Sequence, residues 1–105
     1  MPRELPAGLL PQRVLEQAAE CLRAIAHPHR LRMLELLLRG RYTVAELAEA
    51  CGIPSNVASE HLRLLQRCGV LERQKLGRRS FYRVKKRQIG RLLQCVASWS
   101  EQDAS

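Results

Sequence analysis

A chain of 105 residues is enough for one domain and not two. Its 46% hydrophobic content excludes a disordered chain, and an apolar inventory of mostly Leu, Ala and Val with four aromatic residues favours helices over a β-sandwich. The formal charge of +8 and a pI near 10.2 point to an anionic partner (nucleic acid, an anionic membrane or an acidic protein), and no apolar run approaches the ~20 residues of a membrane span.

The first eleven residues, within "MPRELPAGLLPQR", carry three prolines and read as a flexible arm over 1–11. They hold no apolar h-region or cleavage-type site, so they are not expected to be a signal peptide. The expectation is therefore a cytoplasmic protein with its four cysteines reduced. These are widely spaced and form no CxxC, which argues against a zinc ribbon or finger.

A folded domain is expected over 12–100, with a frayed end at 101–105. From Gln12 to Ala26, Leu15, Ala18, Ala19, Leu22 and Ile25 form one apolar stripe of a first helix. Pro28 suits the first position of a second helix, capped by His27, running through Leu31, Leu34, Leu37 and Leu38 and stopping at Gly40. Thr43 and Glu46 have capping-box spacing for a third helix that ends at Gly52. After "IPS", Ser55 or Asn56 can cap a fourth helix, to about Cys68, that turns Ala58, Leu62 and Leu65 inward and ends at Gly69. "VLERQKL" and "SFYRV", joined by "GRR", read as a β-hairpin. A last helix, roughly Lys85 to Ser100, carries Ile89, Leu92, Leu93, Val96 and Trp99. The expected fold is mainly α with a small β-hairpin wing, in the order ααααββα.

Helices three and four, joined by a few residues, form a helix-turn-helix. Asn56, Ser59, Glu60, Arg63 and Arg67 then share the outer side of the second helix. Short polar groups, including Ser55, sit at its N-terminal end and long basic ones follow, which suits insertion into a major groove. Arg63 could grip a guanine O6/N7 pair. Lys75, Arg78 and Arg79 gather at the hairpin tip, where they could follow a phosphate backbone or enter the minor groove. A solvated helix face would also be polar, but it does not explain two basic surfaces flanking one helix-turn-helix. Glu60 could accept from a cytosine amine, or pair with Arg63 one turn on; the pairing is the favoured reading.

The combination of "AIAHPHRLRMLELL" with "TVAELAEACGIPSNVASEHLRLLQRCGVLERQKLGRRSFYRV" resembles the ArsR/SmtB family of bacterial winged-helix repressors. The resemblance rests on "HPxR", "ELA", "SxHLxxL" and "GVL…GRRxFYRV", and covers about Ala19 to Val84. It implies double-stranded operator DNA as the ligand and a homodimer built on the first and last helices. Leu15, Leu22, Leu92, Val96 and Trp99 are the residues expected at that interface. Repression relieved by a metal, a metalloid or a thiol-reactive signal is also implied.

The family's cysteine pattern in helix three, "ELCxC", is matched here by Ala48 and Ala50, with Cys51 displaced by one. A soft-metal site needs several converging ligands, so that site is expected to be absent. The last helix has no His, which argues against the family's other metal site. Cys68 resembles a helix-four cysteine of the cadmium/lead-sensing branch, but the position of its companion is Leu64. His61 is expected to be structural. No cofactor is expected, with a soft metal or metalloid at the cysteines as the one alternative. The remaining candidates are Cys21 and Cys95, on the two helices the family brings together between copies. They could form a disulfide, a persulfide bridge or a two-coordinate soft-metal site, and so act as a switch, or they are small apolar filler.

Two other readings stand beside an operator-binding repressor: a winged-helix module that binds protein without operator specificity, and a constitutive DNA-binder without an effector. An enzyme is not expected, because no paired carboxylates, Gly-rich phosphate loop or nucleophile–base set is recognisable. Nor is a membrane-active peptide, because the positive charge is spread over several elements.

Overall fold

The computed structural model describes residues 3–103, with side chains through residue 100. Five helices and a two-stranded antiparallel sheet follow in the order α1 (Gln12–Ile25), α2 (Pro28–Arg39), α3 (Val44–Cys51), α4 (Ser55–Arg67), β1 (Leu71–Leu76), β2 (Arg79–Val84) and α5 (Gln88–Asp103). This is a winged helix-turn-helix, with the hairpin as its wing.

Local chemistry sets most of the boundaries. α1 and α2 meet at a corner where His27, in extended backbone, caps α2 through Nδ1 and Pro28 takes its first turn. The capping box of α3 is complete: Glu46 N–H donates to Thr43 Oγ1 at 3.1 Å and Thr43 N–H to Glu46 Oε1 at 2.8 Å. Gly52 (φ +66°) and Gly69 (φ +76°) end α3 and α4 in left-handed backbone. There Ile53 N–H reaches the Ala48 carbonyl and Val70 N–H the Leu65 carbonyl, both at 3.0 Å, which closes a Schellman motif at each end.

α2 stops at Gly40 as expected, in extended backbone. Three local expectations are corrected. Ser55 and Asn56 do not cap α4: Pro54 holds the cap position, no side chain caps the helix, and Ser55 is already helical. The hairpin turn is only Gly77-Arg78, and Arg79 opens β2 opposite Leu76. Gly77 has φ +62° and Arg78 does not have positive φ, the combination a type II′ turn uses. The last helix begins at Gln88, after Lys85 N–H has bonded back to the Val70 carbonyl, and runs through Asp103. Residues 101–103 of the expected frayed end are therefore helical, while residues 104–105 of that end and residues 1–2 of the arm lie outside the described residues.

The core is a single apolar cluster. Met33, Leu34 and Leu37 of α2 meet Leu47 and Ala48 of α3, Ala58, Leu62 and Leu65 of α4, and Val70, Leu71 and Tyr82 at the base of the wing. Ala24, Ile25 and Ile89 tie in α1 and α5. No polar or charged side chain among the described residues is buried. The radius of gyration is 16.8 Å, against ~13 Å for a compact domain of this length.

Candidate nucleic-acid interface

α4 is held by one face and offers the other. Ala58, Leu62 and Leu65 have no exposed surface, whereas Ser55, Asn56, Glu60, Arg63 and Arg67 are exposed and Ser59 is half-buried. The spacing forces this division, because the buried residues recur every three to four positions and the polar set fills the turns between. The short α3, fixed by its capping box and by the Gly52 turn, sets the angle at which α4 projects. The expected Glu60–Arg63 pair does not form. Arg63 instead turns back along its own helix, where Nε donates to the Ser59 carbonyl at 3.3 Å.

The wing carries its charge on both faces. Cross-strand partners share a face, so Lys75 lies with Ser80 and Arg73 on one side of the ribbon, and Arg79 with Leu76 on the other. Arg78 stands in the turn, and all three expected tip residues are exposed. Arg73 Nη2 donates to Ser80 Oγ at 3.0 Å, and Glu72 pairs across the strands with Arg83. Beyond the apolar packing at its base, two electrostatic interactions link the wing to the body. The Arg41 guanidinium lies 5.5 Å from the Phe81 ring centroid. Arg79 adds to the effect of the Thr43 hydrogen bonds in holding the Glu46 carboxyl below its ordinary pKa. The Arg41 contact was not foreseen; only the tertiary fold brings together residues forty positions apart.

α1 and α5 leave apolar surface open. Leu15, Leu22 and Trp99 are 46%, 54% and 56% exposed, and Leu92 and Val96 are half-buried. Val14, Ala18, Leu22, Ile25, Ile89 and Leu92 line a groove of about 540 Å³ between the two helices. Cys21 also lines this groove, half-buried, with Lys86 Nζ 3.9 Å from its sulfur, while Cys95 is exposed on α5. Burial raises the Cys51 thiol above its ordinary pKa, and its Sγ faces the His29 carbonyl at 3.7 Å. Among the described residues no three His, Cys, Asp or Glu side chains converge as metal ligands. With Ala48 buried where the family's helix-three cysteine would stand, the residues present do not fit a metal at that site.

A projecting polar helix, a basic wing that follows it and an open apolar face on α1 and α5 define a winged-helix nucleic-acid-binding protein. Comparison with known proteins agrees. A helix-turn-helix domain model matches residues 25–74. The transcriptional repressor SmtB of Mycobacterium tuberculosis is 30% identical over 94 residues, which cover 90% of this chain and 70% of that one. The transcriptional regulator NmtR of the same organism is 33% identical over 91 residues, covering 87% and 76%. The homodimeric winged helix-turn-helix DNA-binding domain of a possible ArsR-family regulator from Mycobacterium bovis superposes with a TM-score of 0.74, at 30% identity and 92% coverage of each chain. The chain belongs to the ArsR/SmtB family of DNA-binding transcriptional regulators. It is a regulator and not an enzyme. None of its helices among the described residues is long and apolar enough to cross a membrane.

Proposed function

We propose that this chain is a homodimeric repressor that places α4 in the major groove of an operator and lays the wing along the adjacent backbone. Ser55, Asn56, Ser59, Arg63 and Arg67 form the reading face, and Lys75, Arg78 and Arg79 make the phosphate or minor-groove contacts. The observation that carries this reading is the division of α4: a fully buried apolar face fixes its rotation and leaves the polar face directed outward. Leu15, Leu22, Leu92, Val96 and Trp99 pair the two copies through α1 and α5. The site of action is the bacterial cytoplasm, at the nucleoid.

The test is fluorescence anisotropy of the full chain on duplex from just upstream of its own gene and on random duplex, across a salt series. A repressor prefers the first duplex and loses affinity steeply with salt as counterions are released. No preference at any salt would favour a protein-interaction module.

The exposed Cys95 and the groove-lining Cys21 support a thiol response between copies. In it, a small disulfide oxidant accepts two electrons from the pair and leaves as two thiols, and the new cross-link alters the spacing of the two α4 helices. Release of DNA by the oxidant, abolished by Cys21→Ser with Cys95→Ser, is the expected outcome. An unchanged response in the double variant removes the pair from the mechanism, and binding that ignores the oxidant altogether makes the protein a constitutive DNA-binder with respect to thiol signals.

A further inference from the structure

All three histidines of the chain meet at one corner. The His27 and His61 ring centroids are 4.6 Å apart, His27 and His29 5.2 Å, and His29 and His61 6.1 Å. Arg30 stands among them and joins three helices. Its Nη1 donates to the Ala24 carbonyl of α1 at 3.1 Å, and its Nε to His61 Nδ1 on α4 at 3.0 Å. His27 Nδ1 accepts the His29 backbone N–H at 3.1 Å and so caps α2. In both bonds an imidazole nitrogen is the acceptor. A guanidinium and a backbone amide can only donate, so each Nδ1 must be bare and each ring neutral, with its proton on Nε2.

We propose that His27 and His61 form a proton-sensitive latch that holds the recognition helix to the α1–α2 corner, and that acidification opens it and weakens operator binding. The proposal rests on α4 being the reading helix. Protonating His61 removes the acceptor that Arg30 uses, and places a second cation against the guanidinium. Protonating His27 removes the cap of α2 and adds a third. The surroundings oppose this new charge. α2 presents Arg30 and His29, α4 presents His61 and the exposed Glu60, α1 presents the Ala24 carbonyl, and α3 presents Cys51 at the His29 carbonyl. One carboxylate therefore faces a guanidinium and three imidazoles.

Burial, then Arg30 and then the neighbouring imidazole of His29 lower the His27 pKa below its ordinary 6.5. Burial, Arg30 and the other two imidazoles lower that of His61, against a smaller upward pull from Glu60. Because both pKa values are lowered in the folded state, the latch is complete above 6.5 and is lost as pH falls through the lowered values. The direction is diagnostic. Imidazolium groups on a basic DNA-binding protein ordinarily strengthen attraction to phosphate as pH falls, so weaker binding in acid runs against the electrostatic default.

The experiment follows the anisotropy of the full chain on the upstream duplex from about pH 8 to about pH 5.5 at fixed ionic strength. It is repeated with the variant His27→Asn/His61→Asn, whose amide oxygens replace the two Nδ1 acceptors without titrating. Once pH falls below the lowered pKa values, the wild type is expected to lose about tenfold in affinity per proton linked over each further pH unit, and the variant to hold its affinity or gain. Wild-type affinity that stays flat or rises in acid overturns the proposal, as does an equal loss in the variant. An NMR titration of the histidine rings without DNA is the second measurement. His27 and His61 must titrate below 6.5 as Nε2–H tautomers, and an Nδ1–H tautomer or a higher pKa on either ring overturns the latch even if the variant does not fold. Failure of the wild type to bind the upstream duplex at about pH 8 overturns the repressor reading instead, and the ring titration then still decides the latch.

Discussion

Arg63 lies in the middle of the exposed face of α4, a helix whose apolar face is fully buried. Its guanidinium already rests on the Ser59 carbonyl, one turn back toward the end of α4 that would enter the groove. Replacing it with alanine is expected to cost about 1–3 kcal/mol on the upstream duplex and far less on random duplex, read by parallel anisotropy titrations. Equal losses would make Arg63 a phosphate contact. Thr43→Ala removes one of the paired bonds of the α3 cap and is expected to cost about 1 kcal/mol in urea unfolding. The same cap has a pH signature. The Glu46 pKa is lowered from 4.5, so its contribution is present above that value and fades as pH falls through the lowered one; Glu46→Gln should flatten the acid limb of the unfolding curve. The α3 cap was legible in the sequence because it depends on neighbours within four positions. The Glu60–Arg63 pair does not form for the complementary reason: helical spacing permits the pair but does not compel it, and Arg63 Nε bonds the Ser59 carbonyl instead.

The strands of the wing were legible in the sequence, and its turn was not. Alternating apolar and basic residues made a hairpin readable, but turn length sets register, and register decides which cations share a face. A two-residue turn places Lys75 and Arg79 on opposite sides of the ribbon. They can therefore grip two different stretches of backbone, where one face would have offered a single patch. Alanine at Lys75 and Arg78 together should reduce the slope of log affinity against log salt by about 2, roughly one for each phosphate left unneutralised, with little change in preference between duplexes. Gly77→Val forces a branched side chain into positive φ and is expected to cost roughly 1–2 kcal/mol, with loss of protection at the wing amides in hydrogen exchange. The Arg41–Phe81 stack and the Arg30–His61 bond had no signal in the sequence, since an interaction across thirty or more residues leaves no periodicity to read.

At the scale of the whole molecule, the apolar stripe of α1 was legible from spacing, but the extent to which it stays open was not. Ala24, Ile25 and Ile89 anchor α1 and α5 to the core, and Leu15, Leu22 and Trp99 remain outside it. Leu22→Glu should leave the helix-turn-helix folded and shift sedimentation from dimer to monomer, with a loss of operator affinity much larger than any loss of thermal stability. The wild-type dimer should protect two half-sites whose centres are about one turn, ~34 Å, apart in footprinting. The uncovered leucines and tryptophan also shape how the protein responds to its own abundance. While copies are scarce and unpaired, occupancy of the operator grows with the square of their number, so doubling the protein quadruples the bound fraction. A gene under such control passes from open to silent over a narrow range of expression, and the sharpness of that change is set by the strength of the α1–α5 contact, far from any base.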